Sequence, residues 1–267
     1  MSTAVWTGIV AVILYILATL VVARFLRGQA TLNRQAMLTF GILALLFHAC
    51  ALWHLMVTPS GLRMGIFPVA SLIGATGAAV VLVSCLYRPL EWVSLMVFPF
   101  CAITLPMALW INTGYAPRHF SHGMGAHILV SISAYAMLAL AACQALLVML
   151  QHHQLKEGHI RGVMRFFPAI TLMETVLFEL IFAGTLLLTG AIVLGFVYVD
   201  DIFAQHVAHK TVLTLFSWLV FAVLLWGRHF RGWRGVTAVR FTLAGFMLLL
   251  LAFFGSQLVL EVILRRS

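Results

Sequence analysis

Eight long apolar runs, each about as long as a helix must be to cross a bilayer, leave this chain few options. They cover roughly residues 4–23, 36–57, 66–87, 92–111, 124–151, 174–199, 208–228 and 237–262. Hydrocarbon offers no partner to a backbone N–H or C=O, so a run of this length satisfies its own groups by coiling into a helix. The predicted fold is all-α, a polytopic transmembrane helical bundle of about eight helices forming a single integral membrane domain over residues 1–267. Helices one to four fill the first half, 1–111, and helices five to eight the second, 112–267. The composition agrees. The chain is 63% hydrophobic and 9% charged, where soluble domains carry about 25% charged residues. The first run lacks a basic leader and a small-residue cleavage site, so it reads as a retained helix.

The 16 lysines and arginines set the orientation. Connections one, three, five and seven hold Arg24, Arg27, Arg34, Arg88, Lys156, Arg161, Arg165, Arg228, Arg231, Arg234 and Arg240. The opposite side holds Arg63, Arg118, Lys210, Arg265 and Arg266. This bias puts the odd connections in the cytoplasm and the N-terminus in the periplasm of a bacterial inner membrane. The net charge of +9 is therefore topological and does not point to nucleic acid. Cys50, Cys85, Cys101 and Cys143 all fall in apolar runs, none in a C-x-x-C pair, so they read as small buried residues and not as haem attachment points. No Ser-His-Asp set, carboxylate pair or phosphate-binding glycine loop is present. An enzyme is not expected.

Histidine is the residue type left to carry chemistry. His127 and His209 stand where the fifth and seventh helices begin, on the same outer face by the charge pattern. Two neutral imidazoles presented from rigid helices at matching depth can ligate a haem iron from opposite sides. Each alone also reads as an interfacial histidine. His48 lies about 17 Å from the inner end of the second helix, near mid-membrane, where polar residues are rare and face the bundle interior. It is either a ligand at a second site or a histidine hydrogen-bonded to a neighbouring helix. His119 with His122, and His206 with His209, have the i, i+3 spacing that could hold zinc or copper, but as parts of short outer connections they read as solvated. Glu174 and Glu179, in the inner third of the sixth helix, could pair with Arg161 or Arg165, and Asp200 and Asp201 mark its outer end. Pro99 and Pro106 are expected to kink the fourth helix.

Several stretches carry a resemblance when taken in order. They are His127 with Ser131, Ser133, Ala134 and Tyr135; His209-Lys210-Thr211-Val212-Leu213 running into Trp218-Leu219-Val220-Phe221; Leu225-Trp226-Gly227-Arg228-His229; Gly232-Trp233-Arg234-Gly235; and Phe253-Phe254-Gly255-Ser256. With them the second half resembles the cytochrome c assembly family of haem-handling membrane proteins, which includes the CcsA and CcmC types. The whole chain, including His48-Ala49-Cys50-Ala51-Leu52, resembles the YpjD-type branch. The resemblance implies that His127 and His209 occupy the two outer-histidine positions that flank a haem-presenting segment. In CcsA-like members that segment is rich in tryptophan, whereas residues 195–205 here contain none.

The reading is a haem-binding inner-membrane protein that handles or transfers haem, or assists cytochrome maturation, without covalent chemistry of its own. His127 and His209 are its expected axial ligands to a non-covalent haem b, with His48 at a possible second site. The implied partners are haem, the lipid bilayer and other cytochrome c maturation proteins or an apocytochrome. The alternatives are a metal-ion transporter and an accessory or structural membrane subunit without haem.

Overall fold

Small residues decide which face of each helix turns inward. In a computed structural model of the protein, which describes residues 2–29, 31–88, 90–111, 116–156, 167–198 and 205–255, helix α1 (Thr3–Leu26) buries Gly8, Ala11, Tyr15, Ala18 and Val22. Helix α2 (Arg34–Met56) buries Gly41, Ala44, His48 and Ala51. Steps of three and four residues keep each set on one face. The large apolar residues Ile13, Leu20 and Leu46 are exposed on the others. This is the inverse of a soluble core. In lipid a leucine gains nothing from leaving hydrocarbon, so contacts between helices favour residues that let backbones approach. At Gly41 a Cβ would lie 2.7 Å from Leu82 and 3.1 Å from Phe98.

Eight helices among the described residues are long and apolar enough to cross a membrane, as predicted. The chain divides into two compact units between Phe120 and Ser121. In the first unit α1 packs on α2 and α4 (Glu91–Trp110), and α3 (Ile66–Tyr87) packs on α2 and α4. Arg34 at the start of α2 pairs with the buried Glu91 at 3.0 Å and also reaches the Cys85 carbonyl. Trp6, Trp53 and Trp110 are exposed at the other end of these helices, as in an interfacial aromatic belt. Pro99 and Pro106 both lie inside α4, so each withholds one amide from the helical ladder.

That same end carries a feature the apolar runs do not announce. Strands β1 (Val57–Thr58) and β2 (Gly61–Leu62) form a hairpin, and Leu62 exchanges backbone hydrogen bonds of 2.9 and 3.0 Å with Arg118. Gly61 turns the chain at φ +119°, and a Cβ there would meet the Arg118 carbonyl.

The second unit is a ring of four helices. Helix α5 (His122–Lys156) packs on α6 (Ile170–Tyr198) and α8 (Val236–Leu250), and α7 (Gln205–Arg231) packs on α6 and α8. Side-chain amides and hydroxyls tie the helices together. Gln144 donates to the Met173 carbonyl, Gln151 to that of Pro168 and Ser217 to that of Gly245, at 2.8–2.9 Å. Helix α5 continues past the expected residue 151, since His152, His153 and Lys156 extend it as a polar turn. The last span passes from α-helix into a π-helical turn, Leu251–Gly255. Arg161, Arg165, Asp200, Asp201, Ser256, Arg265 and Arg266, on which parts of the sequence reading rest, lie outside the described residues, as does the side chain of His206.

Candidate functional site

Histidine Nδ1 and Nε2 differ only by what each one touches. At His127 the Nδ1 atom lies 2.9 Å from the Ala191 carbonyl oxygen of α6. A carbonyl can only accept, so Nδ1 carries the proton and Nε2 keeps its lone pair. A backbone acceptor on one ring nitrogen is the usual way in which a metal-ligating histidine has its tautomer and ring orientation set. Room for the ring comes from Gly195 one turn further along α6, where a Cβ would lie 3.2 Å from His127 Cε1 and 3.5 Å from Nδ1. Gly123, four residues before His127, is covered by the ring of Tyr198 and has no space for a side chain. Two glycines, one on each helix, thus bring the start of α5 against the end of α6.

His209 stands one turn into α7. Its side chain is exposed, with no hydrogen-bond partner among the described residues. Counted at 1.5 Å per residue, it is about 6 Å into α7 and His127 about 7.5 Å into α5. Because α6 returns to the end where α5 starts, and α7 leaves again seven positions after Tyr198, the chain path puts both histidines toward one end of this unit.

Below them is an aromatic group. The Phe253 ring in the π-helical turn lies edge-to-face with Tyr135 at 5.9 Å and with Phe254 at 5.1 Å, and Lys210 Nζ stands 5.9 Å from its centre. Tyr135 donates its hydroxyl to the Leu249 carbonyl at 2.9 Å, just where α8 gives way to the π turn. Such a turn breaks the i to i+4 register and leaves a carbonyl needing another donor. Trp218, on α7, donates to Thr189 Oγ1 of α6 at 2.9 Å. Tyr135 and Phe253 can each be picked out in the sequence, but their contact across 118 positions cannot.

His48 belongs to the first unit and is fully buried. Nδ1 is 3.2 Å from the Tyr15 hydroxyl and Nε2 is 2.8 Å from Ser71 Oγ. Both ring nitrogens are therefore engaged, which is the neighbouring-helix alternative stated above. Three helices, α1, α2 and α3, meet at this one ring. His54 is exposed, His122 is the first residue of α5 and His119 precedes it. Glu174 accepts the Gly235 amide at 2.9 Å, a contact that the sequence did not suggest. No group of three or more His, Cys, Asp or Glu side chains converges among the described residues.

Comparison with known proteins places this arrangement. The family model described as "Cytochrome C assembly protein" matches residues 37–264. The chain is 31% identical over 249 residues to "Inner membrane protein YpjD" of Escherichia coli K12, covering 91% of this chain and 93% of that one. It is 25% identical over 170 residues to "Cytochrome c biogenesis protein CcsA" of Chlamydomonas reinhardtii, covering 63% of this chain and 47% of that one. It is also 33% identical over 140 residues to an uncharacterized 28.8 kDa protein of Azospirillum brasilense, covering 52% of each. No solved structure matches significantly. The eight membrane-length helices and a match that takes in all but the first helix leave one assignment: this chain belongs to the cytochrome c assembly protein family.

Proposed function

We propose that the protein works in cytochrome c biogenesis as a non-enzymatic haem handler of the bacterial inner membrane, holding haem b non-covalently between His127 and His209. The observation that supports it best is the His127–Ala191 hydrogen bond, which leaves Nε2 as the open, unprotonated nitrogen. The donor set suits the group. A bis-imidazole site needs two neutral histidines on rigid elements, and it needs no thiol. Bound haem would supply a redox-active iron and a planar apolar cargo.

The chain's own residues divide the work. His127 is positioned in advance by α6, through the Ala191 carbonyl and the space at Gly195. His209, exposed and without a hydrogen-bond partner among the described residues, would be the less fixed of the two holding residues. His48 stays outside the ligand set, since binding would strip a buried hydroxyl of its partner. The cation bias between connections supports a periplasmic placement of this end. It would put the site where an apocytochrome or another maturation protein could receive haem. The name of the Escherichia coli relative supports the inner-membrane location, and that of the Chlamydomonas relative supports the biogenesis role.

The test is a visible spectrum of detergent-purified protein, oxidised and dithionite-reduced, beside His127→Ala and His209→Ala. The expected result is a reduced α/β band pair that His127→Ala abolishes and His209→Ala converts or weakens. Protein that stays colourless after haem is supplied during expression and again in vitro would overturn the haem reading. A metal-ion carrier or a scaffold subunit would then stand ahead.

A further inference from the structure

We propose that the turn between α7 and α8 binds the headgroup of an anionic phospholipid. The proposal is independent of the haem reading.

The charge is unbalanced by construction. Arg228, Arg231, Arg234 and Arg240 fall within one turn and its flanking helix ends, and no Asp or Glu occurs anywhere from Ile202 to Leu260. Arg228 is turned onto the fold. Its Nη1 donates to the Trp233 carbonyl at 3.4 Å, and its guanidinium lies 4.5 Å above the Phe178 ring. Arg231, Arg234 and Arg240 are exposed and have no carboxylate partner among the described residues.

The turn that carries them is held rigidly. Trp233 N–H donates to the Gly227 carbonyl at 3.1 Å, and its ring covers Gly227 so closely that no Cβ would fit. The same ring stacks on Phe241 with centres 5.0 Å apart. Glu174 reaches across from α6 to accept the Gly235 amide, so this carboxylate is engaged with the backbone of the turn. Gly232 and Gly235 hold φ of +67° and +58°, which any larger residue would resist. Positive-inside topology needs cations near this level but needs no such fixed turn.

Depth identifies the ligand as lipid. Trp226 and Phe230, 48% and 68% exposed, sit on the last turns of α7, and Arg231 lies 5.2 Å over the Trp226 ring. Trp226 a little over one turn below Arg231, with Phe230 beside it, sets apolar ring surface next to these cations, as an acyl chain below a phosphate requires. Free phosphate would use the cations and leave the rings idle. Arginine clusters of this kind at the end of membrane helices are suited to anionic headgroups.

The experiment is native mass spectrometry of the full-length protein in detergent with phosphatidylglycerol, cardiolipin or phosphatidylethanolamine added at matched concentration. Phosphatidylglycerol and cardiolipin should be retained and phosphatidylethanolamine should not. Arg231→Gln/Arg234→Gln/Arg240→Gln should weaken retention on the order of a hundredfold, at roughly fivefold per guanidinium. Because removing three cations could disturb insertion, Arg234→Gln alone should show the single step of about fivefold. The triple lysine variant, which keeps the charge, should hold lipid far better than the triple glutamine one. Arg24→Gln/Arg27→Gln, in another connection, should leave retention unchanged. Equal loss in that control, or equal retention of phosphatidylethanolamine, would overturn the proposal in favour of diffuse charge. Displacement of the lipid by millimolar inorganic phosphate would overturn it in favour of a phosphate site.

Discussion

His48 shows what a single buried imidazole can do in a membrane. Its depth is legible in the sequence, because eleven or so apolar residues on its inner side put it near mid-membrane. Its partners are not, because Tyr15 and Ser71 stand 33 and 23 positions away on other helices. If Tyr15 donates to Nδ1, then Nε2–H is left to donate to Ser71, and every polar atom of the ring is used. The edge-to-face packing of Tyr15 on the ring, at 5.7 Å, fixes the pair further. His48→Ala would leave two hydroxyls short of a partner in a dry site, at about 1–3 kcal/mol each. The expected outcome is a clear drop in equilibrium unfolding stability in detergent with no change in any haem band. A lost band at unchanged stability would make His48 a ligand after all.

At the scale of elements, the periodic apolar runs are where sequence and structure agree most closely. Helix α3 spans residues 66–87 in both, and most other ends differ by a few residues. What the runs miss is short or non-periodic. The two-residue strands are too brief for alternation to show, and the π turn looks like any other apolar stretch. The glycines of the candidate site are a third case. Gly195 reads as one of 20 glycines until α5 is laid against α6 and the His127 ring fills the space above it. Its role is to let a ring pass between helices, and that makes a test at this scale. In Gly195→Ala the new methyl would press on Cε1, and the ring must turn away from Ala191. Loss of that hydrogen bond is worth about 1 kcal/mol in stability, a modest effect. The larger expected effect is on the proposed ligand, whose tautomer would no longer be set. Weaker haem retention and a shifted reduction potential, with helix content intact by circular dichroism, is the expected result. Wild-type retention and potential would count against Ala191 and Gly195 as positioning groups.

For the whole molecule the question is which end faces which compartment, since a site for haem delivery and a site for an anionic headgroup have opposite requirements. Both lie in the second unit and at its two ends: His127 and His209 where α5 and α7 start, and Arg231, Arg234 and Arg240 where α7 meets α8. The bias of eleven cations to five on which the proposed orientation rests is drawn partly from Lys156 and from those same arginines. One property of the sequence therefore sets both ends at once, and reversing the protein would move the histidines and the arginines together. Labelling with a membrane-impermeant maleimide can check this, because Cys50, Cys85, Cys101 and Cys143 are buried or half-buried within the spans and should stay silent. Ser2→Cys and His122→Cys introduce thiols at the starts of α1 and α5, and Arg234→Cys introduces one in the α7–α8 turn. In spheroplasts the first two should label directly, and the third only after the membrane is permeabilised. The reverse pattern would turn the candidate haem site toward the cytoplasm, and delivery to a periplasmic apocytochrome from that end would then be ruled out even if both histidines bind iron.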